Sequence, residues 1–407
     1  MCQFAELTNP EGSARLMGLM KPMRRAFLAI LLLPAAAGAE SLEMARNLSK
    51  GLDEVYAMRF SEAEADVRLA IAADQQHPYG YFGLAAVSMI KYVYGSEQAD
   101  PGLLEEFSRR IDDAIVKGEA WRKLHPRDPE GFMALGAAYG LSARLQVVRR
   151  DWIRAFWHGR KAVAFLQSAV KYDPAMGDPW LGLGMYDYYA DAYPRFIRVL
   201  AKFVMRGDRA RGVAELRRAA AIGRYSQVVS QLILIEIFLE DQWGLRDPAE
   251  AMRLSAAVRC RYPDSAMIQN IDIIARYEGG RYDEVLAEAD AFLAQAEAGN
   301  FDVMQLAKAH VIKGTTLWAM NRPNEALQEY DAAAEVRAEG QITRWGVWAQ
   351  IRAGNLLDSL GRRELAQARY RIVAAAPDRW GLRQFACAGL RAPWPDSRPG
   401  HISPFGA

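Results

Sequence analysis

Small and bulky apolar residues alternate along this chain with a helical rhythm. A small residue, an apolar or aromatic one four later and a small or β-branched one three further on recur as Ala63-Val67-Ala70, Ala162-Leu166-Ala169, Ala326-Tyr330-Ala333 and Ala366-Tyr370-Val373. Residues three and four apart share one face of an α-helix, so each triplet is a buried stripe. A proline follows the first alanine by twelve residues in three units, from Ala114 to Pro126, Ala162 to Pro174 and Ala251 to Pro263, where it stops the helix. Gly51, Gly314 and Gly354 each precede a stripe (at Ala63, Ala326 and Ala366) by twelve residues. Between such pairs stand turn signals: Gly279-Gly280-Arg281, Met320-Asn321-Arg322-Pro323 and Leu360-Gly361-Arg362. The pattern predicts helical hairpins whose two arms cross at small residues.

Equivalent stripe positions fall at Ala63, Ala114, Ala162, Gly212, Ala251, Val285, Ala326 and Ala366. Eight units in succession therefore organise residues 42–380. The motif Phe132-x-x-Leu135-Gly136-x-x-Tyr139, and Trp180-x-x-Leu183-Gly184 with Tyr188 one place late, resemble the first-helix signature of the tetratricopeptide repeat family. The resemblance implies an all-α solenoid of about eight antiparallel helical pairs in a right-handed superhelix, working as a surface for protein partners. The intervals between units are 51, 48, 50, 39, 34, 41 and 40 residues, and only one equals that family's repeat length. The surplus predicts taller helices in residues 40–240 and regular repeats over 241–380. Prolines 393, 395, 399 and 404 predict an extended or disordered tail over 381–407.

The first 39 residues read as a signal peptide. Lys21, Arg24 and Arg25 precede an apolar run from Ala26 to Ala37, and Ala37-Gly38-Ala39 offers a cleavage site leaving Glu40 first. Met20 stands just before this region, so residues 1–19 fit an over-extended start. The run falls short of the ~20 residues that span a bilayer, so it reads as a signal and not an anchor. Export to the periplasm or beyond is the expectation, by the general or the twin-arginine route. Cleavage removes four basic and two acidic residues from totals of 51 and 49, leaving 47 of each. That balance gives no global attraction to nucleic acid or an anionic membrane. Of three cysteines, Cys260 and Cys387 remain, too few for a disulfide scaffold or a thiolate metal site; the repeat spacing separates them and predicts two free thiols.

Candidate chemistry is sparse. His77, His125, His158, His310 and His401 have no metal-ligand spacing, and no nucleophile elbow or phosphate loop is present, so no catalytic, metal or cofactor residue is assigned. The densest cluster, Tyr186, Asp187, Tyr189, Asp191, Tyr193 and Arg195, combines large contact area with hydrogen-bonding tips. It suits a binding surface for a periplasmic protein or peptide, or else the pocket of a small molecule or glycan, or the packing between units. Residues 194–212 interleave basic and apolar positions and fit an amphipathic helix; a solvated helix face is favoured over peripheral membrane contact. Trp318 and Tyr330 fall on core positions, while Trp345 and Trp348 open a first helix and are secondary partner-binding candidates. The reading is a non-catalytic interaction scaffold, with a role in cell-envelope assembly as its setting.

Overall fold

The computed structural model describes residues 41–98, 100–149, 151–192, 207–239 and 244–402. Among them run seventeen α-helices: α1 (Leu42–Tyr56), α2 (Phe60–Ala73), α3 (Pro78–Ile90), α4 (Pro101–Leu124), α5 (Pro129–Val148), α6 (Trp152–Tyr172), α7 (Pro179–Ala192), α8 (Arg209–Ile222), α9 (Gln227–Leu239), α10 (Pro248–Arg261), α11 (Ala266–Glu278), α12 (Tyr282–Glu297), α13 (Met304–Ala319), α14 (Pro323–Glu335), α15 (Arg344–Ser359), α16 (Arg363–Ala375) and α17 (Arg383–Arg391). Two-residue strands, β1 (Arg337–Ala338) and β2 (Gln341–Ile342), form a ribbon between α14 and α15.

Helices pair in chain order, α1 with α2 through α15 with α16, giving the eight hairpins that the stripe predicts. Every stripe is buried on the second arm: Ala63, Val67 and Ala70 on α2, Leu216 and Ala219 on α8, Ala366 and Tyr370 on α16. The facing glycines explain why small residues recur. A Cβ on Gly354 would stand 2.5 Å from the Tyr370 ring, and one on Gly212 only 2.7 Å from the backbone nitrogen of Tyr188. The paired helices thus approach backbone to backbone, and the large stripe residues fill the space beside the crossing.

Local chemistry sets the ends. Asp100, Asp128 and Asp247 cap α4, α5 and α10, each followed by a proline at the first helical position, where its missing N–H costs nothing. Gly280, Asn321 and Gly361 adopt positive φ of 72°, 60° and 71° at the hairpin tips α11–α12, α13–α14 and α15–α16. Met58 takes the same conformation between α1 and α2, at φ 62°, and its sulfur accepts from the Met267 backbone N–H of α11 at 3.2 Å.

The expected height of the N-terminal half is localised. Helices α4, α5 and α6 have 24, 20 and 21 residues, whereas α11 to α16 have 13 to 16. Yet α1 and α2 have only 15 and 14, and α7 and α8 have 14 each. Part of the long first interval is instead a π-helical turn, Lys91–Gly95, that extends α3. The tail also departs from expectation. It opens with the helix α17, whose Ala386 packs in the core of the last hairpins, because the prolines begin only at 393. Cys260 and Cys387 are both free thiols.

Contacts reach far along the chain. Asp53 of α1 accepts from Arg261 at 2.8 Å and from the Tyr262 hydroxyl at 2.5 Å, and Tyr56 packs on Tyr262. The first hairpin thereby packs on the fifth.

Candidate binding surfaces

The α7 tyrosines are built into the fourth hairpin. Tyr188 is fully buried against Leu216 and Leu234. Tyr189 meets it edge-on at 5.6 Å and directs its hydroxyl to Glu236 of α9, 3.5 Å away. Asp187, 6 % exposed, is taken by Arg211 of α8, whose Nη2 donates at 2.7 Å and whose Nε donates to the other oxygen. The ion pair raises the Arg211 pKa further above its ordinary range. Glu215, one turn further on α8, is pushed up to about 7 by burial and by the Asp187 charge, against the opposing Arg211. Tyr186 is half-buried, and its pKa is raised by burial and by Asp187. Tyr188, Tyr189 and Asp187 are thus engaged with α8 and α9. The side chain of Asp191, and Tyr193 and Arg195, lie outside the described residues, as does most of the basic stretch 194–212. Of that stretch, Arg209 stands over the Tyr188 ring at 5.9 Å and Arg211 holds Asp187.

Trp345 and Trp348 face inward and are both covered. Past the π-helical turn, Glu97 and Gln98 take consecutive positive φ values of 49° and 63°, which lay Glu97 against the seventh and eighth hairpins. The Glu97 side chain, 4 % exposed, lies beside Lys308, Arg344 and the Trp345 indole, while its backbone carbonyl accepts from Trp380 Nε1 at 3.0 Å. Burial pushes the Glu97 carboxyl pKa up, with the charges of Lys308 and Arg344 opposing; burial also lowers Lys308 and holds Arg344 down to about 10. Positive φ in non-glycine residues and a π-helical turn both store strain, and such features concentrate where surrounding structure enforces a function. Neither composition nor the repeat pattern gave a sign of this junction.

The second covering is the tail. After α17 the chain turns back, non-helical, across the first arms of the last three hairpins. Trp318 Nε1 of α13 donates to the Ser397 carbonyl at 3.0 Å, the Tyr277 hydroxyl of α11 to Gly400 at 2.7 Å, and Trp348 Nε1 of α15 to Ile402 at 2.8 Å. His401 pairs with Glu278 at 2.8 Å, and Ile402 is completely buried. Three aromatic donors on three successive hairpins therefore hold main-chain carbonyls, a mode of recognition that needs no particular side chain. Beneath them Arg352 is sandwiched between the Trp318 and Trp348 rings, 5.1 and 5.6 Å from their centroids.

The histidines remain apart. His77 caps α3 and meets Glu130 at 3.0 Å; His158 meets Ser142 and His310 meets Glu329. Among the described residues no group of three His, Cys, Asp or Glu is placed to hold a metal ion, and no helix is long and apolar enough to cross a membrane.

No family profile and no curated protein matches the chain. Solved structures do resemble it. A thermophilic TPR protein of Thermus thermophilus is 19 % identical, covering 55 % of this chain and 94 % of its own, at a TM-score of 0.33. A tetratricopeptide repeat protein from Parabacteroides merdae is 11 % identical over 76 % and 99 %, at 0.33. Yeast Tom70 is 10 % identical over 86 % and 88 %, at 0.41. By its own eight hairpins, their buried small–large–small stripes and the glycine crossings that join their arms, the chain is a tetratricopeptide-like α-solenoid.

Proposed function

We propose that this chain is an exported, non-catalytic scaffold that binds a protein or peptide partner in the periplasm and serves cell-envelope assembly. The observation that carries the reading is the tail in the last three hairpins. Indole and phenol donors from three successive repeats hold carbonyls of a non-helical segment, and an apolar site takes Ile402. A surface that holds its own chain through the main chain can hold another segment the same way. Export rests on the arrangement of residues 1–39, a basic stretch, an apolar run and Ala37-Gly38-Ala39.

The test uses the protein matured in its host. N-terminal sequencing of the exported product is expected to begin at Glu40. The purified chain is then cross-linked in a periplasmic and membrane extract, beside a Trp318→Phe/Trp348→Phe variant that keeps both ring faces but removes both N–H donors. A protein captured by the first and lost from the second supports the reading. Capture unaffected by the substitutions places the partner elsewhere, and no captured protein overturns the scaffold in favour of a small ligand or glycan.

A further inference from the structure

Arg352 is the unexplained group in this groove. It is 2 % exposed, yet its Nε and Nη2 find no acceptor. No carboxylate among the described residues pairs with it. The two indoles beside it spend their N–H groups on the tail, whose carbonyls leave Nε and Nη2 unserved. Two buried guanidinium N–H donors without an acceptor are costly even with the Tyr330 hydroxyl beside the group, and a carboxylate is what this edge of the planar fork fits best. The tail is therefore a good cover but an incomplete ligand.

We propose that the groove of Tyr277, Trp318, Trp348 and Arg352 is a peptide site closed by residues 394–402, and that a partner's non-helical segment opens it by bringing an Asp or Glu side chain to Arg352. This rests on the interaction reading above. A tethered tail acts at millimolar effective concentration, so an incoming segment has to offer an interaction that the tail lacks. A charge-assisted, two-pronged bond to Arg352 is such an interaction.

The test uses amide-capped decapeptides, so that side chains supply the only carboxylates. One, the parent, has the sequence of residues 393–402 with Asp396→Asn, which removes its only side-chain carboxylate; four others add Ser397→Glu, Arg398→Glu, His401→Glu or Ile402→Glu to it. Binding is measured by fluorescence anisotropy on the full mature chain and on the same chain carrying Ile402→Asn, which loosens the resident tail. At least one glutamate peptide is expected to bind the Ile402→Asn chain about tenfold more tightly than the parent peptide, and the wild type about tenfold more weakly than the Ile402→Asn chain. Adding Arg352→Met is expected to bring all five peptides within about twofold of one another while circular dichroism shows the helices intact. Should Arg352→Met not fold, Arg352→Lys, which keeps the charge without the fork, is expected to lose most of the advantage. Equal binding of acidic and parent peptides, or an advantage that survives both substitutions, overturns the carboxylate assignment and leaves the groove standing. No binding of any peptide to the Ile402→Asn chain overturns the groove, while the interaction reading beneath it stands or falls on the capture of a protein partner by the full chain.

Discussion

Two aromatic clusters in this molecule have similar compositions and opposite roles. On α7, Tyr188 and Tyr189 point into the fourth and fifth hairpins, and Asp187 holds Arg211 of the adjoining helix. In the last three hairpins, Tyr277, Trp318 and Trp348 come from separate first arms and turn their polar tips toward a segment outside the stack. The first cluster is local in sequence and joins neighbours; the second is dispersed and converges on one face. Density along the chain therefore misleads in a solenoid. Residues close in sequence share one helix and its packing, whereas a surface spanning repeats takes one residue from each.

The sharpest separation of the clusters is at the α7–α8 crossing. Gly212→Val is expected to destabilise by about 3 kcal/mol or more, because a Cβ there meets the Tyr188 backbone at 2.7 Å and the Gly184 carbonyl at 2.8 Å, neither of which can yield. Gly140→Ala on α5, where an added Cβ meets nothing, is expected to stabilise by up to about 1 kcal/mol through helix propensity. Urea unfolding followed by circular dichroism reads both. Comparable losses at the two glycines would mean that the close crossing does not govern the fourth hairpin.

That contrast also marks what the sequence could reveal. Hairpins, stripes and turns were legible because each depends on residues within one repeat: Ala366 and Tyr370 on a helical face, Gly361 at a tip. The partner of Asp187 was not, because Arg211 lies in the next helix and only the crossing geometry chooses it among nearby arginines. The tail was legible as non-helical from Pro393 onward, but its landing on Tyr277, 123 residues before Gly400, depends on how the repeats stack. Trp345 and Trp348 were recognisable as candidates for the inner face, while their covers, Glu97 and Ile402, come from the second hairpin and the tail.

A smaller effect distinguishes an internal strut from a docking surface. Asp187→Asn removes the charge that holds Arg211, leaving a buried amide beside a half-exposed guanidinium. The expected cost is about 1–2 kcal/mol of stability, with no change in peptide affinity at the C-terminal groove. Trp348→Phe reverses the profile: the ring packing persists, stability falls by about 1 kcal/mol or less, and the tail becomes more accessible to hydrogen exchange beyond Gly400. A variant of Asp187 that weakened peptide binding as much as Trp348→Phe would show that the two clusters are energetically one.

The smallest effect is in the pH dependence of the fourth hairpin. Glu215 is raised to about 7 in the folded chain, by burial first and by the charge of Asp187 second. Unfolded, it titrates near its ordinary value of about 4.3. Between those limits the folded state holds a proton that the unfolded state has released, so stability falls as pH rises through the window. Below it both states are protonated, and above it the full penalty of a charged Glu215 beside Asp187 is present. The residue is only partly buried, so solvent screening reduces that penalty to about 1 kcal/mol. Glu215→Gln keeps the shape and cannot ionise. It is expected to match the wild type at pH 4 and exceed it by about 1 kcal/mol at pH 8 in urea unfolding, with the gain developing between the two. A gain already complete at pH 4 would assign the effect to packing and not to the carboxylate pair. A gain absent at pH 8 would mean that Arg211 neutralises both acids and that the α7–α8 junction carries no strain of charge.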